Sequence, residues 1–179
     1  RGQFELGARA SQLRFQNALL VAGKRLNSER DYDDLGFTDT LYAALAPKTK
    51  ALLEARHTTY EYVSNTGLDS TNTAVLVGVK WDATAKTSGA IRVGNETKEF
   101  DAAALGDRDN AMWEANITWN PLSYSTFVLS TGSKLDEGNN GAALIETRSN
   151  SLDWTHQWLE RLSSKASLSL MNQDYLGAG

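Results

Sequence analysis

Apolar and polar residues alternate with period two over several stretches of the chain. Val75, Val77, Val79 and Trp81 share one face of such a stretch, and Ala74, Leu76, Gly78 and Lys80 share the other. Trp113, Ala115, Ile117 and Trp119 oppose Glu114, Asn116 and Thr118, while Leu152, Trp154, His156 and Trp158 oppose Ser151, Asp153, Thr155 and Gln157. A face that returns every second residue belongs to a half-buried antiparallel strand, whereas a helix would scatter these positions around its axis. Weaker alternation predicts partner strands. Leu53, Ala55 and His57 oppose Glu54 and Arg56; Ile91 and Val93 oppose Arg92, Gly94, Glu96 and Lys98. Their apolar face turns polar after two or three alternations, at Asn95 and Thr97 or at Thr131 and Ser133.

These strands repeat. Leu53, Ile91, Leu129 and Leu168 follow the same small or hydroxyl-bearing start and recur about every 38 residues, with an earlier copy at Leu20. Short turns are expected just upstream of each copy, near 12–16, 46–49, 82–87, 120–125 and 159–164. Both prolines, Pro47 and Pro121, are placed in these turns, where a missing N–H does not break a ladder. Longer polar loops, rich in Asp, Asn, Gly and Ser, are expected near 27–36, 64–72, 101–110 and 134–146. The pattern is strand, short turn, strand, longer loop: an all-β, antiparallel, up-and-down arrangement of about ten strands in five hairpins.

Composition narrows the setting. The 179 residues suit a single domain. Cysteine is absent, which excludes disulfides, cysteine-based zinc sites and a thiol nucleophile. With 18 Lys and Arg against 22 Asp and Glu, the net charge of −4 gives no electrostatic case for nucleic acid. The mean hydropathy of −0.42 is that of a soluble protein, and no run is apolar enough for a membrane-spanning helix. Averaging, however, hides a strand with one face dressed for lipid.

Two environments accept such strands: the apolar face is core in a soluble sandwich, and lipid-facing in an outer-membrane barrel. The alternation of short turns with long polar loops favours the barrel. Trp81, Trp119 and Trp158 share one register just before the short turns, the arrangement of a membrane-interface girdle. The opposite faces carry Glu54, Arg56, Lys80, Arg92, Glu114 and Asp153, mixed charges suited to a wet lumen. These six are the candidate lumen and selectivity residues; paired across strands they would instead plug a narrow interior.

The runs Val79–Gly89 and Trp113–Pro121, with Leu152–Leu162, resemble the outer-membrane β-barrel porins of the second type. The acidic-aromatic rims Arg30–Asp33, Lys98–Asp101 and Gln173–Tyr175 carry the same resemblance. It implies a Gram-negative outer-membrane barrel of an exopolysaccharide locus, with a porin or polysaccharide-export role and no catalytic residues. Members of that family are longer, so the resemblance implies a fragment or truncated member. The ends at Arg1 and Gly179 are likewise expected to be cut, with the ten strands part of a larger barrel.

No catalytic, metal or cofactor site is expected. His156 lies between Trp154 and Trp158, with Asp153 and Thr155 pointing the other way, so no Ser–His–Asp geometry forms within that strand; a rim or girdle role suits it. The loop carboxylates, among them Asp31, Asp33, Asp34, Asp101, Asp107, Asp109, Asp136 and Glu137, read as solvated loop acids. The expected partners are outer-membrane lipid and lipopolysaccharide, with polysaccharide or small solutes passing the lumen. The alternatives are a closed structural barrel that presents its loops for surface interaction, and a soluble β-sheet binding module.

Overall fold

The computed structural model describes residues 2–15, 20–21, 24–25, 30–64, 67–82, 86–103, 105–138 and 144–176. Nine long strands form one antiparallel sheet: β1 (Gly2–Leu13), β4 (Tyr32–Ala46), β5 (Thr49–Tyr62), β6 (Ser70–Trp81), β7 (Thr87–Phe100), β8 (Arg108–Leu122), β9 (Ser125–Glu137), β10 (Leu144–Leu159) and β11 (Leu162–Leu176). They neighbour one another in that order. A separate ribbon, β2 (Leu20–Val21) with β3 (Lys24–Arg25), lies in the connection between β1 and β4. No α-helix is present among the described residues.

The count and the first hairpin differ from the sequence expectation. The sheet has nine strands rather than about ten, and it is open: among the described residues no pairing joins β1 to β11. The short turn expected near 12–16 is replaced by a long connection, because β1 runs to Leu13 and pairs with Tyr32 at the start of β4. Leu20 and Val21, read as part of a long strand, pair among the described residues only with Arg25 and Lys24. The rest of the segment aligned as an earlier repeat, Gln16–Leu19, lies outside the described residues. The strands also reach further into the loops than expected: β4 begins at Tyr32, β6 at Ser70, β8 at Arg108, and β9 runs to Glu137. Polar pairs help to sustain these tips, as where the Thr97 hydroxyl donates to Asp109 at 2.6 Å.

Three hairpins share one turn design. Ala46 pairs with Thr49 around Pro47–Lys48, Leu122 with Ser125 around Ser123–Tyr124, and Leu159 with Leu162 around Glu160–Arg161. Each has a register slip just before the turn, at Ala44/Ala46, Trp119/Leu122 and Gln157/Leu159. Such slips raise the local twist and help a sheet curl. Pro121 falls within the second slip rather than in the turn itself, where the ladder is already interrupted and the lost donor costs nothing.

Inward glycines let β6 and β7 approach each other closely. Gly94 faces Leu76 and Gly78 faces Arg92 across the same pair of strands. A Cβ on Gly94 would meet the Val75 carbonyl oxygen and come within 2.8 Å of the Leu76 Cα; on Gly78 it would meet the Ile91 carbonyl oxygen. Side chains cannot fit there, so the strands close up and the sheet turns its inward face upon itself.

Strand direction has a consequence for closure. β1, β5, β7, β9 and β11 run from the short-turn end to the long-loop end, and the other long strands run back. The two edges are therefore parallel to each other. Direct closure would need a parallel seam, and antiparallel closure needs an odd number of further strands between them.

Candidate functional site

The outward face carries an apolar band through its middle and toward the short turns, and becomes polar toward the long loops, at His57, Thr73, Asn95, Thr97 and Thr131. The pairings Phe4–Leu41, Leu41–Leu53, Leu53–Val77, Val77–Val93 and Val93–Trp113 carry one row across six strands. Closer to the short turns Ile117, Leu129, Leu152 and Leu168 continue it across β8 to β11. Leu41, Leu53, Val77, Val93, Leu129, Leu152 and Leu168 are all exposed. Scattered exposed leucines are ordinary, but contiguous rows of them on a monomer mark a surface made for another apolar phase. Asp39 interrupts the face on β4.

At the short-turn end this face is aromatic. Ring centroids run Trp119–Phe127 at 5.3 Å, Phe127–Trp154 at 6.2 Å, Trp154–His156 at 5.6 Å and His156–Trp158 at 4.2 Å. Tyr124 from the turn stands edge-on to His156 at 5.3 Å. Trp119 and Trp158 remain 48% and 55% exposed, with the Trp158 indole N–H donating to Ser164 Oγ at 2.9 Å. Trp81 is half-buried at the same end of β6, paired with Gly89. The three tryptophans singled out from the sequence thus stand at the short-turn ends of their strands, and Phe127, Tyr124, Trp154 and His156 join two of them into an aromatic cluster. The signal for Trp154 and His156 was their parity with Trp158; Phe127 and Tyr124 needed the register of β9.

The inward face is polar and charged. Four of the six candidate lumen residues meet there, from β5, β7 and β8. Arg56 donates through Nη1 and Nη2 to both oxygens of Glu114, at 2.7 and 2.8 Å, and through Nε to Glu54 Oε1 at 2.6 Å. Arg92 Nε donates to Glu54 Oε2 at 3.1 Å and its Nη1 lies 3.9 Å from Glu114. The result is an alternating ring of two guanidiniums and two carboxylates, with Glu54 only 3% exposed. Each carboxylate of the ring has a cation, which is what makes the burial of Glu54 tolerable. The other two stand apart. Lys80 lies over the Tyr42 ring, its ammonium 5.8 Å from the centroid, and Asp153 accepts a bond from Ser167 Oγ at 2.5 Å.

The long-loop end is occupied from within. Pairing of β8 with β9 stops at Trp113–Ser133, and the tip of β9 leaves its neighbour. The Leu135 N–H donates to Glu96 Oε1 on β7 at 2.6 Å, and Tyr62 of β5 donates to Glu137 Oε2 at 2.6 Å. Glu137 also pairs with Lys98, 1% exposed, whose ammonium lies 4.2 Å from the centre of the Tyr60 ring. Phe100, Leu135 and Leu144 form a small core beside it, packed against Leu68, Leu105 and Leu176. Below the tip is a cleft of about 380 Å³, lined by Arg9, Arg56, Asn72, Glu96, Lys134 and Asp136 among others. Glu96 and Lys98 share the parity of Arg92, so the sequence placed them on this face; Glu137, by its ladder parity on the other face, reaches it only because the tip of β9 folds across. Several loop acids also have partners: Asp33 accepts from Arg14 at 2.5 Å and Asp34 from Arg9 at 2.9 Å.

An antiparallel sheet apolar and aromatic outside, ionic inside and without a helix that could cross a bilayer among the described residues has the build of a β-barrel wall. The chain belongs to the family described as Putative beta-barrel porin 2, whose model matches residues 1–179. No curated protein and no solved structure matches it.

Proposed function

We propose that the chain forms the wall of a porin-like outer-membrane channel whose narrowest part is the ring of Arg56, Arg92, Glu54 and Glu114. The observation that carries this reading is the division of the sheet: apolar rows cover one face, and a four-charge network stands on the other. Lipid cannot solvate that network, and a soluble protein would not leave those rows uncovered. In this reading the short turns are periplasmic, the longer loops face lipopolysaccharide outside, and the aromatic cluster from Trp119 to Trp158, with Trp81, sits at the inner interface. The edges β1 and β11 cannot face hydrocarbon with open backbone groups, so they pair within the complete barrel. The family resemblance extends the reading to passage of polysaccharide, with small solutes as the simpler cargo, in a Gram-negative envelope.

Planar-bilayer recording tests it. Discrete channels are expected from the folded protein, and their absence overturns the passage reading. Glu114→Gln removes half of the bidentate pair and leaves Arg56 and Arg92 sharing Glu54. Its expected results are a shift of ion preference toward anions and a loss of about 1–3 kcal/mol of stability, the worth of a charge-assisted hydrogen bond. Reversal potential and urea unfolding measure the two effects.

One observation favours a second reading, a closed barrel that serves through its loops. The β9 tip crosses the interior, and the ring charges satisfy one another. That barrel would insert into membranes and conduct nothing.

A further inference from the structure

Most inward cations in the middle and at the long-loop end of the sheet have a carboxylate. Arg9 has Asp34, Arg56 and Arg92 have the two glutamates, Lys98 has Glu137 and Lys134 has Asp136. Lys50 and Lys80, at the short-turn end, are different. They are direct partners across β5 and β6, an arrangement of like charges that weakens strand pairing. Neither takes part in an ion pair among the described residues. Instead both ammoniums converge on one ring, 5.7 and 5.8 Å from the centroid of Tyr42 on β4. The Glu5 carboxylate lines the same cleft without an ion pair to either lysine, and Lys50 donates to the neutral Gln3 amide oxygen at 2.7 Å. An open cleft of about 290 Å³ stands against these side chains, with Lys48 and Asp82 at its rim.

We propose that Lys50 and Lys80, steered over Tyr42, form a binding site for a phosphate-type oxyanion at the short-turn mouth of the interior. The proposal rests on the inward face lining a water-filled passage. Two ammoniums with six N–H donors between them suit a tetrahedral oxyanion, which relieves the repulsion that the bare pair carries. The aromatic face holds both cations near each other without neutralising them, as a carboxylate would. A phosphorylated solute arriving at this mouth meets a positive site before the balanced ring deeper inside. The site thereby sets the sign of the solute that the barrel admits.

Two measurements test this, and the first needs no current. Folded protein is acylated with a water-soluble amine-reactive ester, in inorganic phosphate or in chloride of matched ionic strength, and each lysine is read by mass spectrometry. Phosphate at about twice its dissociation constant is expected to slow labelling of Lys50 and Lys80 about threefold, with exposed Lys165 unchanged. Equal labelling in the two salts overturns the site. In bilayers, Lys50→Gln with Lys80→Gln is expected to move the reversal potential toward cation preference and to abolish phosphate block. Channels whose selectivity is indifferent to both substitutions overturn the site and leave the porin reading standing. Lysine protection without any channel overturns the passage and keeps the site.

Discussion

Arginine in place of Val77 is expected to cost about 2–4 kcal/mol of stability in lipid vesicles, the price of a cation on the lipid face near the bilayer midplane. Val77 lies in the middle of the apolar row, between Leu53 and Val93, and is exposed on the outward face. In water such a site would accept an arginine within about 0.5 kcal/mol, because an exposed side chain gains nothing from being apolar. Asn116→Arg provides the contrast. Asn116 faces inward and donates to Ser130 Oγ at 3.1 Å, so its replacement loses about 1 kcal/mol of hydrogen bonding and no more. Equilibrium unfolding from vesicles, followed by tryptophan fluorescence, measures both. A Val77→Arg protein as stable as the parent would place that face in water.

The second large effect is expected at Gly94. Alanine there would put a methyl group against the Val75 carbonyl oxygen and within 2.8 Å of Leu76 Cα, both backbone atoms that no rotamer change can move aside. β6 and β7 would have to separate where Leu76, fully buried, packs with Ala74 and Met112. A loss of about 3 kcal/mol or failure to reach the folded band on a heat-shift gel is expected, at the upper end for overpacking. Gly7→Ala makes the control, since its Cβ would find Thr38 at an ordinary 3.8 Å. That substitution is expected to be neutral or slightly stabilising, because alanine has less freedom to lose than glycine on folding. Equal behaviour of the two variants would remove the inward glycines as the origin of the curl.

The sequence showed the two faces clearly and the curvature hardly at all. Alternation at Val75–Trp81 and Trp113–Trp119 needs no tertiary knowledge, because a side-chain period of two is a property of the extended backbone. It also assigned Glu54, Arg56, Arg92 and Glu114 to one face. Their meeting, with Arg56 bonded to a glutamate 58 residues on, depends on how far the sheet bends between β5 and β8, and no local pattern encodes that angle. The bending devices themselves were visible only as glycines at 78 and 94 on the charged face. The N-terminal strand was misplaced for a different reason. Phe4, Leu6, Ala8 and Ala10 alternate with Gln3, Glu5, Gly7 and Arg9, but the repeat spacing placed a short turn near 12–16 and a strand through Leu20 instead. The inward swing of the β9 tip had no local signal, since it comes from contacts of Leu135 and Glu137 with β7 and β5.

The central claim is that one face of this sheet meets lipid and the other meets water. The absence of cysteine makes a direct measurement straightforward: single cysteines carrying a spin label at Val75, Leu129 and Leu152 on one face, and at Asn116, Ser130 and Ser151 on the other. In vesicles the first set is expected to collide with dissolved oxygen and to be shielded from a water-soluble nickel chelate, with the second set showing the reverse. Equal exposure of both sets to the chelate would contradict the account.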